Sequence, residues 1–260
     1  MIKVLFMGRK PVAAKALAWL IQHENVTVVG VITDSHLAIS PTSEIARKAG
    51  LPLLNRELVE QEVANGTLSF DLALSVLYWQ KIRKPLIESC PKGIVNFHPA
   101  PLPDYKGTAG YNLAILEDLP KWAVSAHYVD EGIDTGEIIQ VRDFSVDRAR
   151  ETARSLEAKS QPELLAQFKD VTSQLLNNEA RLPTIPNGAG RYVSRAEMEA
   201  MKEVKPGDDI ERKIRAFWFP PYDGAYKIVG GIKCTLVNRT ILESLADQTS
   251  SSLFTHSSTW

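Results

Sequence analysis

Short apolar runs alternate with helical patterns through the first hundred residues of the chain. Between the runs, apolar positions recur with helical spacing after Pro11, from Ser40-Pro41 through Ala49, and near residues 57–65. This strand–helix alternation predicts an α/β fold with a mostly parallel, twisted sheet that carries helices on both faces. The runs that predict its strands are residues 2–7, 26–33, 51–54, 71–76 and 93–97.

The pattern becomes less regular after residue 120. Two strands are predicted at residues 122–130 and 137–144, on either side of a Gly-rich corner. A helical stretch follows at about 149–178, and Pro162 is expected either to divide it or to open its second part.

The last part of the chain predicts a smaller unit. Residues 182–190 have the composition of a linker, a helix is predicted at 208–217, and two short strands are predicted at 226–229 and 232–237. The tail is rich in Ser and Thr and has too few apolar residues to bury by itself, which predicts an extended or mobile arm. The predicted units are a catalytic domain at 1–180, a linker and small C-terminal β-containing unit at 181–243, and the polar tail at 244–260.

Composition and charge exclude several classes of protein. The 260 residues fit one large domain, with or without a smaller appendage, and 30 Lys and Arg residues against 31 Asp and Glu residues argue against a protein that coats nucleic acid. No apolar run reaches the ~18 residues of a membrane-spanning helix, and the start MIKVLFMG is too short for a signal peptide. Cys90 and Cys234 form no CxxC pair, so neither a metal cage nor a disulfide framework is expected. These features predict a reduced, cytoplasmic, metal-free protein.

Polar side chains mark the end of the apolar strand predicted at residues 93–97. In the segment GIVNFHPAPLPDYKG, Ile94, Asn96 and His98 share one face, because side chains two apart on a strand point the same way. The carboxyl ends of strands in an open α/β sheet are where ligands bind. Three prolines within five residues then stiffen the loop, and Gly107 allows it to turn.

A second polar element lies in the corner DEGIDTG. Gly132 and Gly136 bracket Asp134 there, so that backbone amides can hold its carboxylate. An Asn, a His and an Asp that converge in one cleft suit acyl transfer. The Asn donates a hydrogen bond to an oxyanion, the His moves a proton near neutral pH, and the Asp fixes the tautomer of the His.

Each motif alone also has a structural interpretation. Asn96 and His98 could be satisfied within a turn network, and the corner around Asp134 could be a hairpin or a weak cation site. His127 lies on the strand predicted at 122–130 and is interpreted as structural. The signatures GxGxxG and GxxxxGK[ST] are absent, so the glycines that cradle phosphates in those nucleotide-binding folds are missing.

The two motifs together resemble a known family. NFHPAPLPDYKG, followed 36 positions after His98 by the Asp of GIDTG, is similar to the signature of 10-formyltetrahydrofolate-dependent formyltransferases. The resemblance implies a Rossmann-like formyltransferase fold in which Asn96, His98 and Asp134 form a catalytic triad. One departure is Ala100-Pro101-Leu102-Pro103, where many members have Ser-Leu-Leu-Pro after His-Pro.

The resemblance extends to both ligands. Residues 74–82 (LSVLYWQKI) resemble the segment that receives the pterin through backbone groups, which implies that Val76, Leu77, Tyr78 and Asp130 bind 10-formyltetrahydrofolate. The C-terminal KIRAFWFPPYDGAY resembles the members that formylate nucleotide-linked amino sugars. Among these, the chain is most similar to GDP-perosamine N-formyltransferases of lipopolysaccharide O-antigen biosynthesis. The family also implies a homodimer formed through the C-terminal half.

Several side chains are candidates for binding the nucleotide sugar. Aromatic residues in the C-terminal motif offer flat faces for a nucleobase, although they could also only anchor the small unit to the main domain. Cationic side chains before the helix at Pro11 could hold a phosphate, or could form a solvated basic turn. The predicted substrate-binding residues are Arg9, Lys10, Tyr105, Arg215, Trp218, Phe219 and Tyr222.

The sequence thus leads to one main hypothesis and three alternatives. The main hypothesis is formyl transfer from 10-formyltetrahydrofolate to the amine of a nucleotide-linked amino sugar, with no membrane or nucleic-acid partner. The alternatives are hydrolysis of 10-formyltetrahydrofolate, formylation of methionyl-tRNA, and non-catalytic binding of folate or nucleotide. The near-neutral charge balance does not favour tRNA binding.

Overall fold

The computed structural model describes residues 1–36 and 39–245, so almost all of the predicted tail lies outside the described residues. The strands are β1 Ile2–Gly8, β2 Val26–Ile32, β3 Leu53–Leu54, β4 Leu72–Val76, β5 Ile94–His98, β6 Tyr105–Gly107, β7 Lys121–Tyr128, β8 Ile138–Ser145, β9 Arg191–Val193, β10 Tyr226–Val229 and β11 Ile232–Thr235. The helices are α1 Pro11–Leu20, α2 Pro41–Lys48, α3 Arg56–Ala64, α4 Lys84–Glu88, α5 Gly110–Leu116, α6 Ala153–Asn177, α7 Arg195–Ala200, α8 Ile210–Phe217 and α9 Arg239–Leu245.

A seven-stranded sheet with the order β3-β2-β1-β4-β5-β7-β8 forms the centre of the molecule. Its first five strands are parallel, and β7 and β8 are antiparallel to their neighbours. The chain order changes direction between β1 and β4, and ligands in such sheets bind beyond the carboxyl ends of the strands at this kind of switch point. The prediction of an α/β fold with a mostly parallel sheet is confirmed.

The two faces of the sheet pack against different helices. Val95 and Phe97 of β5 belong to a core that includes residues of α1 and α6, whereas Ile94 belongs to a second core with residues of α3 and α4. This alternation along β5 is the one that the strand pattern predicts. It leaves Asn96 and His98 on the same face as Ile94, at the carboxyl end of the strand.

Helix α6 is continuous across Pro162, and the expectation that Pro162 would divide or restart it was wrong. The helix begins after Thr152, whose side chain accepts a hydrogen bond from the backbone of Ser155. Leu164 and Phe168 are fully buried beyond the proline, while Pro162 itself is exposed. Burial of the apolar face therefore holds the helix together on both sides of the proline.

A third core connects the C-terminal segments to the first part of the chain. Trp122 and Leu156 pack in it together with Ile214, Phe217 and Ile241. Beyond this core, β10 and β11 pair as an antiparallel hairpin, which confirms the small C-terminal β-containing unit. No helix among residues 1–36 and 39–245 is both long and apolar enough to cross a membrane.

Candidate active site

The polar residues predicted at the strand ends come together in one large cavity. Asn96, His98 and Asp134 all line this cavity, which has a volume of about 590 Å³. β5 delivers the first two, and the corner between β7 and β8 delivers the third. The structure thus brings the three residues of the predicted triad into one site, although they come from two separate stretches of sequence.

Asp134 occupies a constrained position in the corner. Its φ angle is 55°, in the left-handed region that costs most residues roughly 1–2 kcal/mol and that Asp tolerates better than most. A Cβ atom at Gly136 would lie 1.9 Å from the carbonyl oxygen of Tyr128, so this position excludes any side chain. The backbone amide of Gly107 donates to Oδ2 of Asp134 at 3.0 Å and fixes the carboxylate.

His98 is buried between a carbonyl and this carboxylate. Its Nε2 atom lies 3.0 Å from the carbonyl oxygen of Tyr105, which can only accept, so Nε2 carries a proton. Its Nδ1 atom lies 3.5 Å from Oδ2 of Asp134. Nδ1 is therefore the ring nitrogen that can take up a proton, and Asp134 is placed to share the resulting positive charge.

The two side chains change each other's proton affinity. Burial lowers the pKa of His98 below its ordinary value, and the Asp134 carboxylate opposes that shift. Burial raises the pKa of the Asp134 carboxyl, but the imidazoles of His98 and His127 and the Gly107 amide outweigh that effect and lower it to about 2. At neutral pH the pair is thus a neutral imidazole beside an ionised carboxylate.

His127 is a residue of the site that the sequence interpretation treated only as structural. It lines the cavity, its Nε2 atom lies 3.1 Å from Nδ2 of Asn96, and the same nitrogen lies 3.6 Å from Oδ1 of Asp134. Its neighbour across the sheet is Asn96, because residues 96 and 127 are register partners of β5 and β7. The pairing register of two strands 31 residues apart is not visible in the sequence pattern.

The loop after β4 forms part of the cavity wall. Leu77 and Tyr78 line the cavity, whereas the side chain of Val76 is buried in the core and only its backbone lies at the strand end. The Tyr78 hydroxyl donates to the Asp34 carboxylate, and the Trp79 indole donates to the Asp34 carbonyl oxygen at 2.9 Å. Burial and the bond to Asp34 raise the pKa of Tyr78. The loop is therefore held in place by Asp34, which lies two residues beyond the end of β2.

Asp130 stabilises the corner by accepting two hydrogen bonds within it. Its Oδ1 atom accepts hydrogen bonds from the Gly132 amide at 2.9 Å and from the Thr135 hydroxyl at 2.6 Å. The side chain also lines the cavity. Asp130 thus both shapes the corner that carries Asp134 and is accessible to a ligand.

Four of the predicted substrate-binding residues reach the cavity. Arg9, Lys10, Phe219 and Tyr222 all line it. The Arg9 guanidinium lies 5.3 Å from the ring centre of Trp79, within cation–π range, and the Lys10 ammonium forms an ion pair with Glu157 at 2.9 Å.

The other three predicted substrate-binding side chains make their contacts outside this cavity, and their role in substrate binding stays a prediction. The Tyr105 hydroxyl bonds to Glu117 at 2.5 Å, and its ring packs on Trp122. Arg215 is buried, where it donates to Glu211 and to the Glu151 carbonyl oxygen. Trp218 packs against the third core. None of the three lies among the cavity-lining side chains of the described residues.

A segment without a predicted element also contributes to the wall. Tyr192, Arg195 and Lys202 of the segment around α7 line the cavity. A usable signal was present, because Ser194 and Glu197 form a capping box at the start of α7. The sequence motif S-x-x-E at residues 194–197 marks such a helix start.

Comparisons with known proteins identify what this arrangement is similar to. The formyl transferase family matches residues 2–167. A methionyl-tRNA formyltransferase of Symbiobacterium thermophilum is 30% identical over 247 residues, which are 87% of this chain and 72% of that protein.

Solved structures share the fold at lower identity. A 4-N formyltransferase from Francisella tularensis superposes with a TM-score of 0.77 at 22% identity and covers 91% of this chain and 97% of its own. An N-formyltransferase from Helicobacter canadensis, solved in complex with folinic acid and dTDP-3-aminofucose, gives a TM-score of 0.72 at 22% identity and covers 90% of this chain and 86% of its own.

Proposed function

The chain belongs to the formyl transferase family, and on that premise we propose that it moves a formyl group from 10-formyltetrahydrofolate to the amine of a nucleotide-linked amino sugar. The observation that carries the proposal is the convergence of Asn96, His98 and Asp134 in one cavity. An amide donor, a basic imidazole and a carboxylate are the groups that acyl transfer to an amine requires.

The residues that line the cavity are divided between two proposed ligands. We assign Leu77, Tyr78 and Asp130 to the folate, and Phe219 and Tyr222 to the nucleotide sugar. Arg9 lies over Trp79 of the folate loop and is assigned to the phosphates of the nucleotide sugar. The Helicobacter canadensis neighbour was solved with folinic acid and dTDP-3-aminofucose, which supports this pair of ligand classes. Among the amino sugars, we propose GDP-perosamine, an O-antigen precursor, on the resemblance of the C-terminal motif.

The proposed reaction follows from the geometry of the triad. The sugar amine attacks the formyl carbon, a carbon–nitrogen bond forms, and the carbonyl oxygen becomes an oxyanion. Asn96 donates a hydrogen bond to that oxygen, a contribution of about 3 kcal/mol when well aligned. Nδ1 of His98 takes the amine proton, directly or through water, while Asp134 stabilises the imidazolium. The bond to N10 of the folate then breaks, and N10 receives the proton.

A panel of nucleotide-linked amino sugars tests the proposal. Each would be incubated with enzyme and 10-formyltetrahydrofolate, and mass spectrometry would detect a formyl group in place of one amine hydrogen. GDP-perosamine is the expected substrate, and dTDP- and UDP-linked amino sugars are the comparisons. Asn96→Ala, His98→Ala and Asp134→Ala should each lower kcat by roughly 10²-fold or more without unfolding the protein. Near-wild-type turnover in all three variants would refute the triad.

Formylation of methionyl-tRNA is the second candidate, because the curated relative at 30% identity carries that name. It predicts that methionyl-tRNA is formylated and that its binding weakens steeply with salt. A further arm without any acceptor measures hydrolysis of 10-formyltetrahydrofolate. Formyl loss that does not depend on an added amine would favour the hydrolase instead.

We further propose that the enzyme acts in the cytoplasm as a homodimer formed through its C-terminal half. The observation that supports the dimer is the exposure of Ile228, Val229 and Ile232 on the β10–β11 hairpin. Sedimentation equilibrium should give twice the 28.8 kDa chain mass. A single-chain mass at micromolar concentration would refute the dimer.

A further inference from the structure

A row of polar side chains crosses three neighbouring strands at the active site. Ser75 on β4 is the register partner of Asn96 on β5, and Asn96 is the register partner of His127 on β7. Side chains at directly opposed positions share one face of a sheet. Ser75 and His127 are each 2% exposed, so the protein has buried two polar groups beside the proposed oxyanion donor.

The hydrogen bonds along this row have one direction. Nδ1 of His127 lies 2.7 Å from the carbonyl oxygen of Tyr128, which can only accept, so Nδ1 carries the ring proton. Nε2 of His127 then has a lone pair, and Nδ2 of Asn96 donates to it at 3.1 Å. At the other end, the Ser75 hydroxyl donates to Oδ1 of Asn96 at 2.8 Å.

We propose that Ser75 and His127 are positioning residues that fix the orientation of the Asn96 amide and aim its second N–H at the oxyanion. This inference rests on the proposed function, which gives Asn96 the oxyanion role. A reversed amide would set Oδ1 against the lone pair of His127 Nε2, where two acceptors would face each other without a hydrogen. Within residues 1–36 and 39–245 the second Nδ2 hydrogen of Asn96 has no acceptor, so it is available to the substrate.

The Asp134 carboxylate competes with the Asn96 amide as a partner of His127. Its Oδ1 atom lies 3.6 Å from Nε2 of His127, which would be an ion pair if the imidazole carried protons on both nitrogens. The lowering of the Asp134 pKa by His127 belongs to that protonated form, in which Nε2 donates to the carboxylate. Nε2 would then be a donor that faces the Asn96 amide donor, and the amide would lose its anchor. The proposed network therefore requires a neutral His127 with its proton on Nδ1, next to the ionised Asp134 and to His98, whose ring centre is 6.5 Å away.

Kinetics with two backgrounds test the network. Ser75→Ala and His127→Met would be made in the wild-type chain and in Asn96→Ala. In the wild-type chain we expect Ser75→Ala to lower kcat about 5-fold and His127→Met to lower it about 10-fold or more. The KM values for the formyl donor and for the amine acceptor should change less than about 2-fold. In Asn96→Ala, Ser75→Ala should alter kcat less than about 2-fold, because Ser75 acts through Asn96. His127→Met should lower kcat less there than in the wild-type chain, and only by the part that comes from its contact with Asp134.

Conservative and control variants complete the kinetic test. Ser75→Thr keeps the hydroxyl and should retain kcat within about 2-fold. Thr172→Val removes a buried hydroxyl in α6 that is remote from the site, and it should leave kcat unchanged. Fold-changes of Ser75→Ala and His127→Met that are as large in the Asn96→Ala background would show a structural role and overturn the proposal.

A measurement without substrate separates this proposal from the proposed function. Nitrogen-15 NMR of the imidazoles should show His127 as the neutral tautomer with a proton on Nδ1, a signal that His127→Met removes. The Asn96 side-chain amide signals should shift in both Ser75→Ala and His127→Met. An imidazolium or an Nε2-protonated tautomer overturns the network even if the enzyme is active. An inactive wild-type protein with the expected spectra refutes only the proposed function.

Discussion

His98 and Asp134 share a buried corner in which the proton affinity of one depends on the charge of the other. Burial lowers the pKa of His98, so its neutral form, which is the proposed base, persists below the ordinary histidine value of about 6.5. We therefore expect the acid limb of kcat/KM to lie below pH about 6.5. The measurement is the pH dependence of formyl transfer under conditions in which the protein stays folded.

The Asp134→Asn variant tests the direction in which Asp134 shifts the pKa of His98. The Asp134 carboxylate raises the pKa of His98, so its removal should move the acid limb to still lower pH while the plateau falls about 10-fold or more. The side-chain oxygen of Asn can still accept from the Gly107 amide. Asp143→Asn, at an exposed carboxylate on β8, is the control and should leave the profile unchanged. A limb that moves to higher pH in Asp134→Asn would contradict the assigned roles.

At the residue scale, the sequence contained what was needed for the triad but not for its surroundings. Asn96 and His98 lie at the end of an apolar strand, and Asp134 lies between two glycines, so both motifs can be seen in the sequence alone. No local sequence pattern singles out His127, because its place in the site comes from strand pairing with Asn96. Arg215 and Trp218 are packed away from the cavity lining, since a cationic or aromatic side chain in a motif can equally be used for packing.

Helix α6 shows how burial overrides a local preference. Pro162 lacks the N–H that would bond to the Ala158 carbonyl, at a cost of about 3 kcal/mol in a helix interior. Both residues are exposed, so water can satisfy the freed carbonyl oxygen. The buried side chains Leu156, Leu164 and Phe168 on the opposite face hold the helix against the sheet.

We therefore expect Pro162→Ala to stabilise the protein. The free energy of unfolding should rise by about 1–2 kcal/mol, which is less than the full cost because alanine also gives the unfolded chain more freedom. Urea denaturation measures the change. Lys169→Ala, at another exposed position of α6, is the matched control and should stay within about 0.5 kcal/mol of the wild type. An unchanged or lower stability of Pro162→Ala would show that the helix does not lose a bond there.

At the element scale, the predictions were best where the hydrophobic period was strong. The five parallel strands and the helices α1, α2 and α3 have regular apolar spacing, and the structure has them within a few residues of the predicted bounds. The short elements α4, β6, α5, β9, α7 and α9 were not predicted. Among residues 1–36 and 39–245, β6 and β9 pair with each other alone, across 85 residues of chain, so neither has a local pattern that would reveal it.

At the scale of the whole molecule, the third core joins the segments on both sides of the predicted boundary at residue 180. Trp122 and Leu156 are buried against Ile214 and Phe217. Hydrogen bonds cross the same interface, from Asn112 to the Ala216 carbonyl oxygen at 2.7 Å and from the Arg154 amide to the Trp218 carbonyl oxygen at 3.1 Å. The division at residue 180 thus remains a proposal about chain organisation. The packing itself implies that the segments after residue 180 stabilise the fold of the segments before it.

A chain that ends at residue 180 tests whether the C-terminal segments stabilise the sheet domain. It would expose Trp122 and Leu156, and burial of such side chains contributes about 1.5–3 kcal/mol each. We expect the shortened chain to melt at least about 10 °C below the intact protein, and the intact protein to unfold in one calorimetric transition. The control is a chain that ends at residue 245, which keeps every described element and should melt like the full chain. If residues 1–180 instead keep the melting temperature of the intact protein, the C-terminal segments add no stability to the sheet domain. Their place in the third core would then serve only to complete the cavity wall formed by α7 and the residues after α8.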